Sequence, residues 1–287
     1  MSTAPFSLSP SSAPPLRTAI VVPCFNEAAR LDGEAFARFA HSAGIDFLFV
    51  NDGSRDGTQA VLRDLAQRYP QHLSMLELAH NRGKAEAVRQ GMLHVLKREV
   101  DLVGYCDADL ATPLAEMAAM RDVLGARTDL FMVLGARVQM LGRRIERHAY
   151  RHYAGRLFAT IASLALGVPV YDTQCGAKVM RAGASTGALF AQPFITGWAF
   201  DVELIRRVIL ALADDRAAAR ACLYEHPLSA WRDVAGSKVR TSDFVRCLMQ
   251  VARMTRHYRN RTLTGPTMPP LQWNTPAAQP AQARRAA

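Results

Sequence analysis

The stretch "DLVGYCDADLATP", residues 101–113, decides how the chain is read. A short apolar run from Asp101 to Cys106 ends in two aspartates separated by one alanine, and a helix-compatible Pro113 follows. A buried strand that ends this way sets Asp107 and Asp109 at i and i+2 in the loop leaving it. Hard oxygen ligands so placed suit Mg²⁺ or Mn²⁺, and Mg²⁺ commonly takes one or two carboxylates together with substrate phosphates. A D-x-D pair also occurs in turns and caps, and Asp109 is equally a candidate cap for the helix starting near Pro113.

The flanking sequence supplies the context. "TAIVVPCFNE" (18–27) reads as a buried strand, Ala19 to Val22, a loop at Pro23, and an amphipathic helix from about Glu27 to Ser42. "DFLFVNDGSRDGT" (46–58) is a second strand, Phe47 to Val50, then a polar turn in which Asp56 can cap a helix running to Tyr69. "LSMLELA" (73–79) is a third strand, and "NRGKAEAVRQGMLHVLKRE" (81–99) a turn and helix with apolar residues at helical spacing. The run 101–106 is the fourth strand. "DLFMVLGAR" (129–137) is the fifth, after a helix around Leu114 to Leu124. Strands alternating with helices predict an α/β fold with a mostly parallel sheet flanked by helices. Ligands of such sheets bind outside the carboxyl ends of the strands. The clusters "CFNE", "NDGSRD" and "DAD" each follow a strand, so they converge on one edge.

After Gly135 the pattern changes. Residues 140–168 read as mostly helical, basic first and apolar later. "DTQCGAKVMR" (172–181) is a loop and strand. A helix from about Trp198 to Ala213, a strand near Ala221 to His226 and a basic helix over 242–261 complete the chain. Residues 1–16 and 262–287, rich in Pro and Ala, read as poorly ordered tails around a domain over 17–241.

Composition narrows the function classes. The 287 residues carry 35 Lys and Arg against 25 Asp and Glu, concentrated between Arg137 and Arg156 and between Lys238 and Arg261. A basic face suits a polyanionic partner such as nucleic acid, anionic lipid or a phosphorylated substrate, and it also suits solvated helix faces. No zinc-finger or RNP-like aromatic signature supports nucleic acid. Five scattered cysteines (24, 106, 175, 222, 247) form no C-x-x-C pair and no zinc spacing, which fits buried thiols in a reducing, cytoplasmic compartment. No basic segment followed by an apolar run opens the sequence, so no signal peptide is expected. The longest apolar stretch, "LFATIASLALGVPV" (157–170), is shorter than the roughly 20 residues that span a bilayer. Residues 154–168 and the basic helix could instead lie in an interface, giving peripheral contact with the cytoplasmic face of a membrane, or the apolar stretch could pack in the core.

The glycines after the first strand do not form G-x-G-x-x-G, and no G-x-x-x-x-G-K-[ST] is present, so neither a dehydrogenase-type dinucleotide site nor a P-loop is expected. Asp52 at the end of the second strand and Asn26 and Glu27 after the first could accept hydrogen bonds from a ribose or base. Glu27 could instead be a favourable charge in a first helical turn.

"VVPCFNE", "VNDGSRDGT", "NRGKAEAVRQGM" and "DADLATP", in that order, resemble the family 2 glycosyltransferases with the GT-A fold. "DTQCGAKVMRA" (172–182), "WAFDVELI" (198–205) and "WRDVAGSKV" (231–239) are similar to the dolichyl-phosphate β-glucosyltransferase and polyprenyl-phosphate glycosyltransferase branch. The resemblance implies a metal-dependent inverting transfer of a hexose from a UDP-sugar, UDP-glucose first, to a polyprenyl phosphate. It implies that Asp107 and Asp109 hold Mg²⁺ or Mn²⁺, that Pro23, Glu27, Asp52 and Lys84 line the nucleotide-sugar pocket, and that Gln174 lies beside the donor sugar. It places Arg137 toward phosphates, Trp198 and Asp201 on the acceptor side, and Ser237 and Lys238 in a loop closing over the phosphates, with Lys238 supplying charge to the reaction. Arg147 and Arg151 are candidates for the acceptor phosphate.

Each has a plainer alternative. Trp198 could pack a helix onto the sheet, Gln174 and Lys178 could serve loop hydrogen bonds, Asp201 could be a first-turn helix charge, and Arg147 and Arg151 could sit on a solvated helix face. Two other functions remain open: a soluble family 2 transferase with a hydroxyl acceptor, for which Asp201 is the nearest base, and a non-catalytic basic binding protein.

Overall fold

The computed structural model describes residues 16–146, 149–234 and 241–259; side chains at 149–151 and 241–245 lie outside that description. The expected tails at 1–16 and 262–287 fall outside it, Leu16 excepted.

In chain order the elements are β1 (Thr18–Cys24), α1 (Gly33–Ala43), β2 (Ile45–Asp52), α2 (Thr58–Arg68), β3 (Leu73–Leu78), α3 (Lys84–Val95), β4 (Leu102–Tyr105), α4 (Leu114–Ala126) and β5 (Met132–Ala136). They continue with β6 (Arg144–Glu146), α5 (Ala149–Leu166), β7 (Lys178–Arg181), α6 (Ala184–Ala191), α7 (Phe200–Ala211), α8 (Arg216–Cys222), β8 (Leu223–Pro227), β9 (Ala230–Arg232) and α9 (Thr241–Tyr258). Seven strands form one sheet in the order β3-β2-β1-β4-β7-β5-β8, and β6 pairs with β9 apart from it.

Strands β1, β2, β4 and β5 of the large sheet are buried on both faces, so they read as continuous apolar runs rather than alternating ones. Within β1, Ile20 and Val22 face α1, α2 and α4, packing with Phe36, Leu62 and Met117. Ala19 and Val21 face the opposite layer, with Val88 and Met92 of α3 and Val202 and Ile205 of α7. On the first side Phe36 meets Phe47 and Phe49 edge-on, with ring centroids 5.1 and 5.2 Å apart.

One expected boundary needs correction. The first helix starts at Gly33 rather than Glu27, because Asn26 takes a left-handed φ of 52° and residues 27–31 close a turn on the Glu27 carbonyl. Asp32 then caps α1, accepting from the Ala35 N–H at 2.9 Å. The sheet is mostly parallel, as expected, and its reversed strand is β7, antiparallel to both β4 and β5. Its first residue, Lys178, pairs with Tyr105, the last residue of β4, so the chain enters β7 from the carboxyl edge. Gly104 permits this, since a Cβ there would collide with the Lys178 carbonyl. Residues 140–168 are mostly helical, as expected, through α5, and 144–146 form β6, parallel to β9. Two short helices, α6 and α8, were not anticipated. The cysteines behave as expected: all five are free thiols, four of them buried.

Gly91 of α3 sits against β1 and β2, where a Cβ would collide with Val21 and lie 2.8 Å from Val50 Cγ2. Gly91→Ala gains about 1 kcal/mol of helix propensity and loses about 1–3 kcal/mol to overpacking, so the urea midpoint falls. An unchanged or raised midpoint would contradict this packing.

Candidate functional site

The carboxyl ends of β1, β2 and β4 and the entry to β7 meet at one edge. Asp107 and Asp109 lie in the loop after β4. The Lys84 ammonium forms an ion pair with Asp107 Oδ1. What brings Lys84 there is Asp52. Its carboxylate is buried at the end of β2 and accepts the backbone N–H groups of Arg82 and Gly83, each at 2.8 Å. Gly83, at φ 90°, precedes the first turn of α3, whose first residue is Lys84. Burial acts to lower the Lys84 pKa, but the charges of Asp107, Asp201 and Asp109 outweigh it and hold the ammonium above its usual value. Asp52, expected in the nucleotide pocket, thus has its carboxylate engaged with the loop that delivers Lys84.

Asp109 does not cap the next helix: α4 has no side-chain cap, and Asp109 Oδ1 accepts from the Ala111 N–H at 3.1 Å. Its carboxyl is pushed up by burial and by the neighbouring Asp107 charge, and Ala111, Arg30 and Lys84 pull the other way. Among the described residues no group of three or more His, Cys, Asp or Glu gathers at a point where a metal could bind. A divalent cation on Asp107 and Asp109 would take its other ligands from water and phosphate, and two hard carboxylate donors fit Mg²⁺ or Mn²⁺ in that mode.

The loop entering β7 forms the adjacent wall. Gly176 lies so close to Asp107 that a Cβ would collide with its carboxylate. Lys178, with no exposed surface, holds this loop: its ammonium donates to the Cys175 carbonyl at 2.8 Å, the Thr173 carbonyl at 3.3 Å and Asp201 Oδ1 at 2.5 Å. The Tyr105 hydroxyl donates to the same Asp201 oxygen at 2.6 Å. Burial and the Asp201 charge drive the Tyr105 pKa well above its ordinary value, so it stays a donor. Asp201, expected on the acceptor side with a catalytic role, is instead a buried first-turn residue of α7 tied to Lys178 and Tyr105. Gln174 is half-buried in this loop, and its Nε2 and the Thr173 hydroxyl are buried atoms with no hydrogen-bond partner among the described residues.

Arg137 also departs from expectation. Its guanidinium is paired with Asp172 through Nε (2.6 Å) and Nη2 (2.8 Å) and lies over the Trp231 ring, 5.2 Å from its centroid. Burial opposes the charge, but Asp172 outweighs it and holds the guanidinium above its ordinary value. The pair supports the wall, since Asp172 Oδ1 accepts the Gln174 N–H at 3.1 Å.

After β1, Pro23 is half-buried opposite Val50. Asn26 bridges to the loop after β2, accepting from the Arg55 N–H at 2.9 Å and donating its own N–H to Ser54 Oγ at 3.1 Å. Glu27 is buried and pairs with Arg30, which donates from Nη2 at 2.6 Å and from Nε. The sequence reading passed over Arg30; its i,i+3 spacing from Glu27 was the available signal. The Glu27 bond, then the Asp109 and Asp107 charges, hold its pKa up against burial.

Trp198 is 39% exposed. Its segment is held by Gln250 of α9, which accepts the N–H groups of Trp198 (2.9 Å) and Ala199 (3.1 Å). Glu203 braces the same turn, accepting from the Thr196 N–H at 2.9 Å, Arg207 at 2.8 Å and the Tyr258 hydroxyl at 2.8 Å. Arg147, Ser237 and Lys238 lie outside the described residues, as does the side chain of Arg151.

The sequence pattern of glycosyl transferase family 2 matches residues 19–185. A dolichyl-phosphate beta-glucosyltransferase of Trichomonas vaginalis is 28% identical over 255 residues, covering 84% of this chain and 72% of that one. The dolichyl-phosphate beta-glucosyltransferase of Saccharomyces cerevisiae is 29% identical over 240 residues, covering 77% and 68%. Among solved structures, glucosyl-3-phosphoglycerate synthase of Mycobacterium tuberculosis superposes with a TM-score of 0.59 at 14% identity, covering 84% of this chain and 81% of that one. Its complex with Mn²⁺, UDP and glucosyl-3-phosphoglycerate gives 0.55 at 16% identity, covering 84% and 80%. The likeness shows that this chain has the GT-A fold expected from the sequence.

Gly176→Ala drives the Asp107 carboxylate from its place without touching the core. Because a displacement of about 1 Å in a reacting constellation costs about a hundredfold, turnover should fall by that order in a steady-state assay while the thermal midpoint hardly moves. Turnover within about twofold of the native protein would show that the Gly176–Asp107 contact does not matter.

Proposed function

The chain belongs to glycosyl transferase family 2, and we propose that it transfers a hexose, glucose first, from a UDP-sugar to a polyprenyl phosphate with the help of Mg²⁺ or Mn²⁺. The observation that carries this is the meeting of Asp107 and Asp109 with Lys84 and Arg30 at the strand ends, beside the unpartnered Gln174 amide. The dolichyl-phosphate beta-glucosyltransferases similar to this chain support the donor sugar and the acceptor class. The Mn²⁺ and UDP in a solved structure of the same fold support the metal and the nucleotide.

Asp107 and Asp109 would hold the cation, whose charge supports the diphosphate as it leaves. An acceptor phosphate oxygen attacks the anomeric carbon, the bond to UDP breaks, and UDP departs with the electron pair, inverting the centre. Lys84 turns from Asp107 to the departing phosphates, adding a fixed positive charge where negative charge develops. Gln174 Nε2 donates to a sugar hydroxyl. The second pKa of a phosphate monoester is near 6 by analogy with phosphoserine, so such an acceptor is mostly dianionic at pH 7 and needs no strong base. The engagement of Asp201 with Lys178 and Tyr105 fits an acceptor of that kind better than a hydroxyl, which would call on Asp201 as base. Arg147 and Arg151 remain candidates for the acceptor phosphate, and Ser237 and Lys238 for closing over the donor.

Peripheral contact with a membrane belongs to the same proposal. No helix among the described residues is long and apolar enough to cross a bilayer. Helix α5 divides its surface: Phe158, Ala162 and Leu166 enter the core, while Tyr153, Leu157 and Leu164 stand 72%, 55% and 79% exposed along one stripe. Helix α9 packs beside it and exposes Arg246, Met249, Arg253 and Arg256. An exposed apolar stripe on one helix and a basic one on the helix packed beside it suit an anionic bilayer interface, where each basic residue adds about 1 kcal/mol.

The test is UDP release from UDP-glucose with Mg²⁺ or Mn²⁺, with and without polyprenyl phosphate. Release should require the lipid and fall by at least about a hundredfold in Asp109→Ala, the scale of losing a charge-stabilising group. Equal release without lipid, or none with any UDP-sugar, would overturn the assignment.

A further inference from the structure

Arg30 has a feature that its pairing with Glu27 leaves over. Glu27 Oε1 accepts from Nη2 and Oε2 from Nε, a side-on fork that fixes the guanidinium plane. The third nitrogen, Nη1, is buried and has no hydrogen-bond partner among the described residues. A buried donor left unmade keeps its desolvation penalty, larger still when charged, so a site that retains one calls for an explanation. The guanidinium lies within electrostatic reach of Asp109 and Asp107. Those carboxylates are not bonded to it: Asp107 is paired with Lys84, and Asp109 accepts from Ala111.

Glu27 is fixed in turn. Its N–H donates to Thr58 Oγ1 at 2.8 Å, and its carbonyl accepts the N–H groups of Arg30 and Leu31 at 3.0 and 2.9 Å. Thr58 of α2 and the turn that follows therefore hold the Glu27 backbone, and the carboxylate it carries holds Arg30. An arginine so held is pre-organised, with its fork and charge placed before any ligand arrives.

We propose that Arg30 binds the donor's diphosphate, with Nη1 donating to a phosphate oxygen beside Asp107 and Asp109, and that Glu27 is a positioning residue that aims it rather than a contact of the nucleotide. The inference rests on reading the strand edge as a nucleotide-sugar site and adds to it a specific phosphate ligand. It also accounts for the composition of the site. Two carboxylates that hold a divalent cation contribute nothing attractive to the diphosphate themselves, so a fixed cation beside them keeps the pocket from repelling its ligand when the metal is not yet bound.

Calorimetry with UDP and with uridine, both with Mg²⁺, on the full chain separates the possibilities. Arg30→Met should weaken UDP about ten- to a hundredfold and leave uridine within about twofold, the size of one lost charged hydrogen bond. Arg30→Lys, which keeps the charge and loses the fork, should recover only part of the loss. Glu27→Gln should weaken UDP with uridine unchanged, a selective effect that general loosening of the loop would not give. Because Arg30→Met strands Glu27 as a buried unpaired carboxylate, the double variant Glu27→Gln/Arg30→Met removes both charges and keeps the measurement possible in a folded protein. Unchanged UDP affinity in Arg30→Met and the double variant would overturn the assignment, and so would uridine and UDP weakening in step. A native protein that binds neither UDP nor GDP would overturn the nucleotide-sugar reading itself, a result distinct from native binding that survives the loss of Arg30.

Discussion

The Lys178 ammonium sits without exposed surface at the start of β7, 2.5 Å from Asp201 Oδ1. Removing one member of such a buried pair costs about 3–5 kcal/mol, because the other is left as an uncompensated charge. Here the pair joins four pieces of chain. Lys178 holds the carbonyls of Thr173 and Cys175, Asp201 opens α7, and the Tyr105 hydroxyl brings in the last residue of β4. The next residues after Tyr105 carry the two site aspartates. The geometry of the edge therefore depends on an ion pair that has no need to touch any ligand.

That constraint explains why a reversed strand lies between β4 and β5. Entering β7 from the carboxyl edge lays residues 172–177 across the strand ends, and Gly176 brings backbone against Asp107. A parallel strand at the same place would have kept this loop at the opposite edge. On the other flank Asp52 fixes the turn before α3 and so the position of Lys84. The polar residues of this edge thus work in two tiers. Lys84, Arg30 and Gln174 present free or displaceable donors, while Asp52, Glu27, Asp172 and Asp201 hold them in place.

The sequence made most of these residues legible as site candidates, but not which tier each belongs to. Strands β1, β2, β4 and β5 were readable because both faces are buried, which leaves continuous apolar runs ending abruptly in polar loops. The convergence of "CFNE", "NDGSRD" and "DAD" followed from that alone. The direction of β7 was not readable, because strand direction depends on where the preceding loop travels and not on the residues of the strand. The pairing of β6 with β9 escaped notice because three-residue strands carry no periodic signal. For Arg137 and Asp201 the residue types were right for chemistry, but their partners, Asp172 and Lys178, lie 35 and 23 positions away. Long-range pairing of that kind cannot be inferred from one sequence. Arg30 was within reach, since Glu27 and Arg30 share an i,i+3 spacing, but the spacing alone does not show that one nitrogen is left without a partner.

The central claim is that Asp107 and Asp109 bind a divalent cation jointly with a nucleoside diphosphate. Water-proton relaxation of Mn²⁺ tests it directly, because Mn²⁺ immobilised on a protein enhances relaxation well beyond its small-molecule complexes. With the native protein, the enhancement should be weak with Mn²⁺ alone and strong once UDP is added, and the UDP-dependent part should vanish in Asp109→Asn. Strong enhancement that persists in Asp109→Asn, or no UDP-dependent enhancement in the native protein, would contradict the account.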